Sequence, residues 1–255
     1  MLPIDEIKDF LDFKVAEFNR PEFIDLDPIS IPHRYSLKED IEISAFLTAT
    51  ISWGNRKAIL TASQNMMKLM GESPYDFIMN YNDKLEDRTS GFYYRTFNGI
   101  DFSYFIKSLK NIYQYHGGLE NVFTKLSKDF TLQESISHFK KVFFELPHQF
   151  STEKHISSPI EGSAAKRLNM MLRWLVRNDN AGVDFGIWKH ISPSSLSCPL
   201  DVHSGNTARK LGILRRKQND SKAVIELDSA LRELDPYDPV KYDFALFGLG
   251  VIEAF

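Results

Sequence analysis

Apolar side chains recur along this chain at three- and four-residue intervals, the spacing that lines one face of an α-helix. Behind Ser36-Leu37-Lys38-Glu39, the residues Ile43, Phe46, Leu47, Thr50 and Ile51 form one such stripe, which ends near Trp53-Gly54. The S-x-x-E form predicts the start of that helix, with the serine capping the third helical amide and the glutamate reaching back. Thr131-Leu132-Gln133-Glu134 repeats the form ahead of Ile136, Phe139, Phe143 and Phe144, and predicts another helix. Leu168, Met171, Leu172, Leu175 and Val176 make a wide stripe that should pack on a core, with Arg167, Arg173 and Arg177 interspersed. Asp238-Pro239 reads as a cap followed by proline at the first helical position, before Val240, Phe244, Phe247 and Val251 at i, i+4, i+7 and i+11. No succession of alternating strands and no repeat of 20–50 residues is found, so an all-α fold is expected. Turn residues gather at Gly71 to Pro74, Gly117-Gly118, Pro147 to Gly162, Ser192 to Pro199 and Asp235 to Pro239, and none of these forms a low-complexity linker.

Composition narrows the class. Of 255 residues 43% are hydrophobic and 25% charged, which is the globular range. A chain of this size can bury roughly 70–75% of its unfolded surface, as one domain or as two subdomains. The single cysteine, Cys198, cannot form an internal disulfide or a thiolate metal centre, and it fits a reducing, cytoplasmic setting. The amino-terminal run M-L-P-I-D-E-I-K-D-F is acidic where an export signal is basic, so no export is expected. The longest apolar runs, L-N-M-M-L-R-W-L-V and F-A-L-F-G-L-G-V-I, fall short of the ~20 residues of a membrane helix.

Charge is unevenly distributed. The total is 31 − 34 = −3, yet residues 160 to 222 hold eleven Lys/Arg against five Asp/Glu, a local +6, which leaves −9 for the rest. A basic stretch inside an acidic protein is the form a phosphate-tracking face takes, because affinity for a nucleic-acid backbone depends on local cations and not on overall charge. A set of solvated helix faces gives the same count.

The same stretch carries Ile160-Glu161-Gly162-Ser163-Ala164-Ala165-Lys166, then Cys198-Pro199-Leu200-Asp201-Val202-His203, then Ala208-Arg209-Lys210-Leu211-Gly212. The first segment resembles the hairpin loop of the helix-hairpin-helix DNA glycosylases, L-P-G-V-G-x-K, whose lysine leads the second helix. The second resembles their V-D-T-H segment, and Ser44-Ala45-Phe46-Leu47-Thr48-Ala49-Thr50-Ile51-Ser52-Trp53 resembles their early apolar helix. A closer likeness, to an uncharacterised bacterial family (DUF2400-like), is carried by K-R-L-N-M-M-L-R-W-L-V-R, G-V-D-F-G-I-W, P-L-D-V-H and D-P-V-K-Y-D-F-A-L-F-G-L-G. That family brings no established activity.

The glycosylase resemblance implies an all-α unit over 1–255 with two helical subdomains and a cleft between them. One would be a barrel over about 39–196 that includes the hairpin 160–166, and the other would combine 1–38 with 197–255. It implies base excision on double-stranded DNA with a flipped base, by a glycosylase that is also an abasic-site lyase, with Lys166 as nucleophile and Asp201 as its carboxylate partner. An amine that attacks the anomeric carbon must be neutral, against an ordinary lysine value near 10.4, and desolvation or a helix N-terminus can favour that form. The amides of Gly162, Ser163 and Ala164 would meet a backbone phosphate, supported by Arg167, His203, Arg209 and Lys210, and Ser52, Trp53 and Asn55 would approach the flipped base. A monomer without metal or other cofactor is implied.

Three departures qualify the resemblance. Ala164 replaces the second hairpin glycine, the carboxy-terminal cysteine cluster of the endonuclease III branch is absent, and the interval from Lys166 to Asp201 is 201 − 166 = 35 residues. That interval is nearest to the archaeal 8-oxoguanine glycosylases. Plainer readings stand beside each role: Lys166 as a first-turn surface lysine, Asp201 as a helix cap, His203 as a structural histidine or with Asp201 as half of a metal site, and the tryptophans as core walls. For the whole chain the rivals are a non-catalytic helix-hairpin-helix DNA-binding module and a helical interaction domain.

Overall fold

The computed structural model describes residues 3–124 and 131–255, so Met1 and Leu2 of the amino-terminal run lie outside the described residues. The chain is mostly helical, and among the described residues its only strands are the two-residue pair Tyr93–Tyr94 and Phe97–Asn98. No described helix is long and apolar enough to cross a membrane. The chain divides into two compact units, one formed by Met1–Asp25, Thr131–Glu134 and Ser158–Phe255, the other by Leu26–Phe130 and Ser135–Ser157.

In the first unit the Tyr242–Val251 helix buries Phe244, Ala245, Leu246 and Leu249 and packs against both the Ile4–Phe18 and the Val202–Lys210 helices. Gly250 permits the second contact, because a Cβ there would lie 2.9 Å from the Thr207 hydroxyl and 3.1 Å from the His203 carbonyl. Asp238 does not cap this helix. A 3₁₀ turn over Pro239–Lys241 comes first, and the Asp238 carboxylate instead accepts from Arg177 Nε at 3.0 Å.

That bond belongs to a buried ionic cluster along the Lys166–Val176 helix. The stripe Leu168, Met171, Leu172, Leu175 and Val176 is buried as its spacing predicts, but Arg173 and Trp174 are buried too, so the helix is covered on nearly all sides. Arg177, also buried, donates to Asp179, Asp184 and Asp238, while Arg173 donates to Asp184 at 3.3 Å and to Asp243. Both guanidinium groups lie over the Phe244 ring, at 4.3 and 5.4 Å from its centre. Two of the eleven basic residues counted between 160 and 222 are therefore inside the protein.

Residues 178–188 fold back to complete this arrangement. The amides of Phe185 and Trp188 donate to the carbonyls of Trp174 and Leu175 at 2.8 and 2.9 Å, satisfying groups that the end of a helix leaves open. The same excursion delivers Asp184 between the two arginines. The cap pattern at residues 131–134 is realised: the Thr131 amide donates to Glu134 Oε2 at 2.8 Å, and the Glu134 amide donates to Thr131 Oγ1 at 3.3 Å.

In the second unit every residue from Asp40 to Ile51 of the Lys38–Ile51 helix is buried. Phe46 meets Phe105, Phe139 and Phe143 with ring centres 5.4–5.7 Å apart, an aromatic core. This helix begins with Leu37 at the cap position and no side-chain cap, so Ser36 does not close it as its pattern predicts. Asn98 and Asp101 form a reciprocal cap on the Gly99–Tyr115 helix, a start not anticipated from the sequence.

Removing one member of a buried, hydrogen-bonded charge cluster leaves the others unpaired, at a cost of about 3–5 kcal/mol. Arg177→Ala is expected to lower stability by that amount in chemical denaturation, and a loss below about 1 kcal/mol would show that the cluster does not hold the unit together.

Candidate functional site

Lys166 is the first residue of its helix, and the loop ahead of it uses two left-handed residues, Gly162 at φ 90° and Ala165 at φ 46°. The constraint expected at Ala164 falls on Ala165 instead, while Ala164 is buried and its carbonyl accepts from Asn169 Nδ2 at 3.0 Å. The amides of this loop are largely used internally. Gly162 N donates to the Pro159 carbonyl at 3.0 Å, Ser163 N to the Ser158 carbonyl at 3.2 Å, and Ala165 N to Ser163 Oγ at 3.1 Å. The amides of Gly162 and Ser163 are thus committed within the loop, unlike the phosphate contacts the resemblance implies. The loop is tied down from outside by Ser221 N, which donates to the Gly162 carbonyl at 3.1 Å.

Asp201 caps the Val202–Lys210 helix. Its Oδ1 accepts from the amides of His203 and Ser204 at 2.8 and 3.0 Å, and Ser204 Oγ accepts in return from the Asp201 amide at 3.0 Å. The other oxygen is left for a different partner: Asp201 Oδ2 lies 3.9 Å from Lys166 Nζ. The two side chains, 28% and 25% exposed, are reachable from solvent without being loose on the surface. Lys166 Nζ also approaches Met170 Sδ at 3.4 Å. The cap reading and the partner reading of Asp201 therefore describe different atoms of one carboxylate.

The surroundings fix this pair. Asn219 Nδ2 donates to the Asp201 carbonyl at 2.8 Å, the Asn219 side-chain oxygen accepts from Arg209 Nη2 at 2.5 Å, and Arg209 Nε donates to the Arg216 carbonyl at 2.8 Å. Arg209 thus braces the loop that holds Asp201. His203 and Lys210 are exposed, the latter with its ammonium 5.4 Å from the Phe255 ring centre. Arg167 is half-buried, and desolvation lowers its guanidinium to about 10.

Two buried carboxyls lie close by. Asp243 holds Arg173 and accepts from the Cys198 thiol at 3.8 Å, and burial pushes it up to about 6, with Arg173 and Lys166 acting against that rise and Asp201 adding to it. Asp228, which accepts from the Cys198 amide at 2.9 Å, is likewise pushed up to about 6 by burial. Burial raises the Cys198 thiol well above its ordinary value, so it acts as a protonated donor. Asp243 was not singled out from the sequence, although it lies in the D-P-V-K-Y-D-F run. Among the described residues, no three His, Cys, Asp or Glu side chains are grouped to hold a metal ion.

Ser52, Trp53 and Asn55 belong to the second unit and take three different roles. The Ser52 hydroxyl is buried and donates to the Thr48 carbonyl at 2.7 Å. Trp53 is half-buried, edge-on to Tyr94 at 5.6 Å and stacked on His155 at 6.2 Å, and its carbonyl accepts from the Tyr94 hydroxyl at 2.9 Å. Only Asn55 lines open space, a groove of about 1010 Å³ bounded by the Arg56–Met70 helix and residues 88 and 91–94.

The first unit thus juxtaposes a helix-leading lysine and a helix-capping aspartate in a mostly helical chain. The chain belongs to the family described as a protein of unknown function, DUF2400, whose profile matches residues 27–252. No curated protein and no solved structure matches it.

A Cβ added at Gly162 would meet no atom within 4 Å, so Gly162→Ala is strained only by its φ of 90° and is expected to lower stability by about 1 kcal/mol in a denaturant titration. A raised folded-state carboxyl value contributes stability below about pH 3.8 that is lost as pH rises through about 6. Asp228→Asn should therefore gain about 2–3 kcal/mol relative to the parent between pH 4 and pH 7. A stability difference that is flat over that range would contradict the burial of an ionisable Asp228.

Proposed function

We propose that the protein acts on damaged DNA as a base-excision glycosylase and abasic-site lyase, with Lys166 as nucleophile and Asp201 as its partner, on a helix-hairpin-helix framework. The observation that carries the reading is the 3.9 Å approach of Lys166 Nζ to Asp201 Oδ2, made by residues 35 positions apart, while Oδ1 is anchored to two helix amides. The anchored carboxylate cannot swing away, so its free oxygen keeps a fixed orientation towards the amine.

In the proposed reaction the Lys166 amine attacks C1′ of a flipped nucleotide, and the C1′–N bond breaks with its electron pair leaving on the base, which takes up a proton. Asp201 stabilises the positive character that develops on the sugar; the attached amine gives up one proton, the C1′–O4′ bond opens with its electron pair and a proton going to O4′, and C1′=N remains as a protonated Schiff base. Removal of a C2′ proton then expels the 3′ phosphate. Exposed Lys189, Lys210, Arg215, Lys217 and Lys222 supply backbone affinity from the same unit. An oxidised purine is the first substrate to test, because the interval between the two motifs is nearest to that of the archaeal 8-oxoguanine glycosylases.

Borohydride added to protein and lesion-bearing or abasic duplexes should yield a covalent adduct with the parent and with Asp201→Asn in reduced yield, and none with Lys166→Ala. Salt-sensitive duplex binding without adduct across the panel would instead select a non-catalytic DNA-binding protein.

A further inference from the structure

The groove in the second unit has a chemistry of its own. Lys57, Thr61, Asn65 and Lys68 all line it, at i, i+4, i+8 and i+11 along the Arg56–Met70 helix. Those intervals keep the four side chains on one face, so hydrogen-bonding groups line a track about 16 Å long. Among the described residues neither Lys57 nor Lys68 forms an ion pair, and no carboxylate lines the groove. Indeed residues 43 to 71 contain no acid at all, within the part of the chain that sums to negative charge.

The rest of the lining supplies a further cation and an open ring. Arg88 Nη2 donates to the Lys68 carbonyl at 3.1 Å, and its guanidinium lies 5.8 Å from the Phe77 ring centre, so its position is set before any ligand arrives. Tyr93 is 72% exposed beside Tyr94, whose hydroxyl is anchored on the Trp53 carbonyl. With a volume of about 1010 Å³ the groove is at the upper limit of small-molecule pockets, roughly 300–1,000 Å³, and it is open to solvent. A cationic track with an exposed aromatic platform is the arrangement that holds a phosphodiester strand and stacks its bases.

We infer that this groove binds a single strand of nucleic acid, its phosphates along Lys57, Lys68 and Arg88 and a base on Tyr93. The inference goes beyond the excision chemistry and does not depend on it, since none of these residues belongs to the unit that carries Lys166 and Asp201.

Fluorescence anisotropy of the full-length protein with labelled dT12 and U12 tests it. Three neutralised phosphates predict a log–log salt slope of about −2. The triple variant Lys57→Ala/Lys68→Ala/Arg88→Ala should weaken binding at least tenfold and flatten that slope. Tyr93→Ala should weaken it about fivefold or more and Tyr93→Phe should not, because stacking needs the ring and not the hydroxyl. Equal affinity for the two strands would assign recognition to phosphate and base, and a preference would add the sugar; either supports the groove. Borohydride trapping of the triple variant reads the excision chemistry separately, so failure of the groove and failure of the excision chemistry are distinguishable. Unaltered melting temperatures would show that the variants fold, as expected for exposed side chains. Retention of parental affinity and slope by the triple variant, or equal binding of a polyglutamate peptide of the same charge as dT12, would overturn the inference.

Discussion

Two arginines removed from water dictate how the first unit is built. Arg173 and Arg177 require carboxylates, and those come from separate parts of the chain: Asp179 and Asp184 from the excursion after the helix, Asp238 and Asp243 from the approach to the final helix and its first turn. A buried guanidinium left alone would be strongly unfavourable, so these segments must be in place together. Burial inside this cluster pushes Asp243 up to about 6, even with Arg173 acting against the rise. Lys166 and Arg173 stand at i and i+7 of the helix, on one side of it, and Arg177 is the residue that ends it. The cluster therefore anchors the helix that Lys166 leads.

Asp201 caps a helix with one oxygen and faces a lysine with the other. Capping occupies Oδ1 and leaves Oδ2 facing Lys166, and the Asn219–Arg209 brace holds the carbonyl of the same residue. Two amide donors on Oδ1 give this carboxylate a rigidity that a free surface carboxylate lacks. The loop ahead of Lys166 follows a 3₁₀ turn over Pro159–Glu161. Its first two amides are turned inward, and its left-handed alanine is Ala165 and not the Ala164 that replaces a glycine.

The helical periodicities were legible because burial follows local spacing, as the stripe from Leu168 to Val176 shows. The joint placement of Lys166 and Asp201 was legible only through motif resemblance, since nothing local in either segment specifies the other. Three features could not be read. Ser36 and Asp238 have cap-forming patterns, yet the first does not close its helix and the second is drawn to Arg177, a partner 61 residues away. The net charge of residues 160 to 222 concealed that two of its cations are internal. Three basic residues spread over two helices make little impression on a charge count, so the groove is legible only from the Lys57, Thr61, Asn65, Lys68 periodicity once the helix is placed.

The central claim is that Lys166 is a nucleophile aimed by Asp201, and peptide mapping of a reduced protein–DNA adduct by tandem mass spectrometry tests it most directly. The sugar remnant is predicted on Lys166 alone. A remnant on another lysine or on the amino terminus would contradict the account.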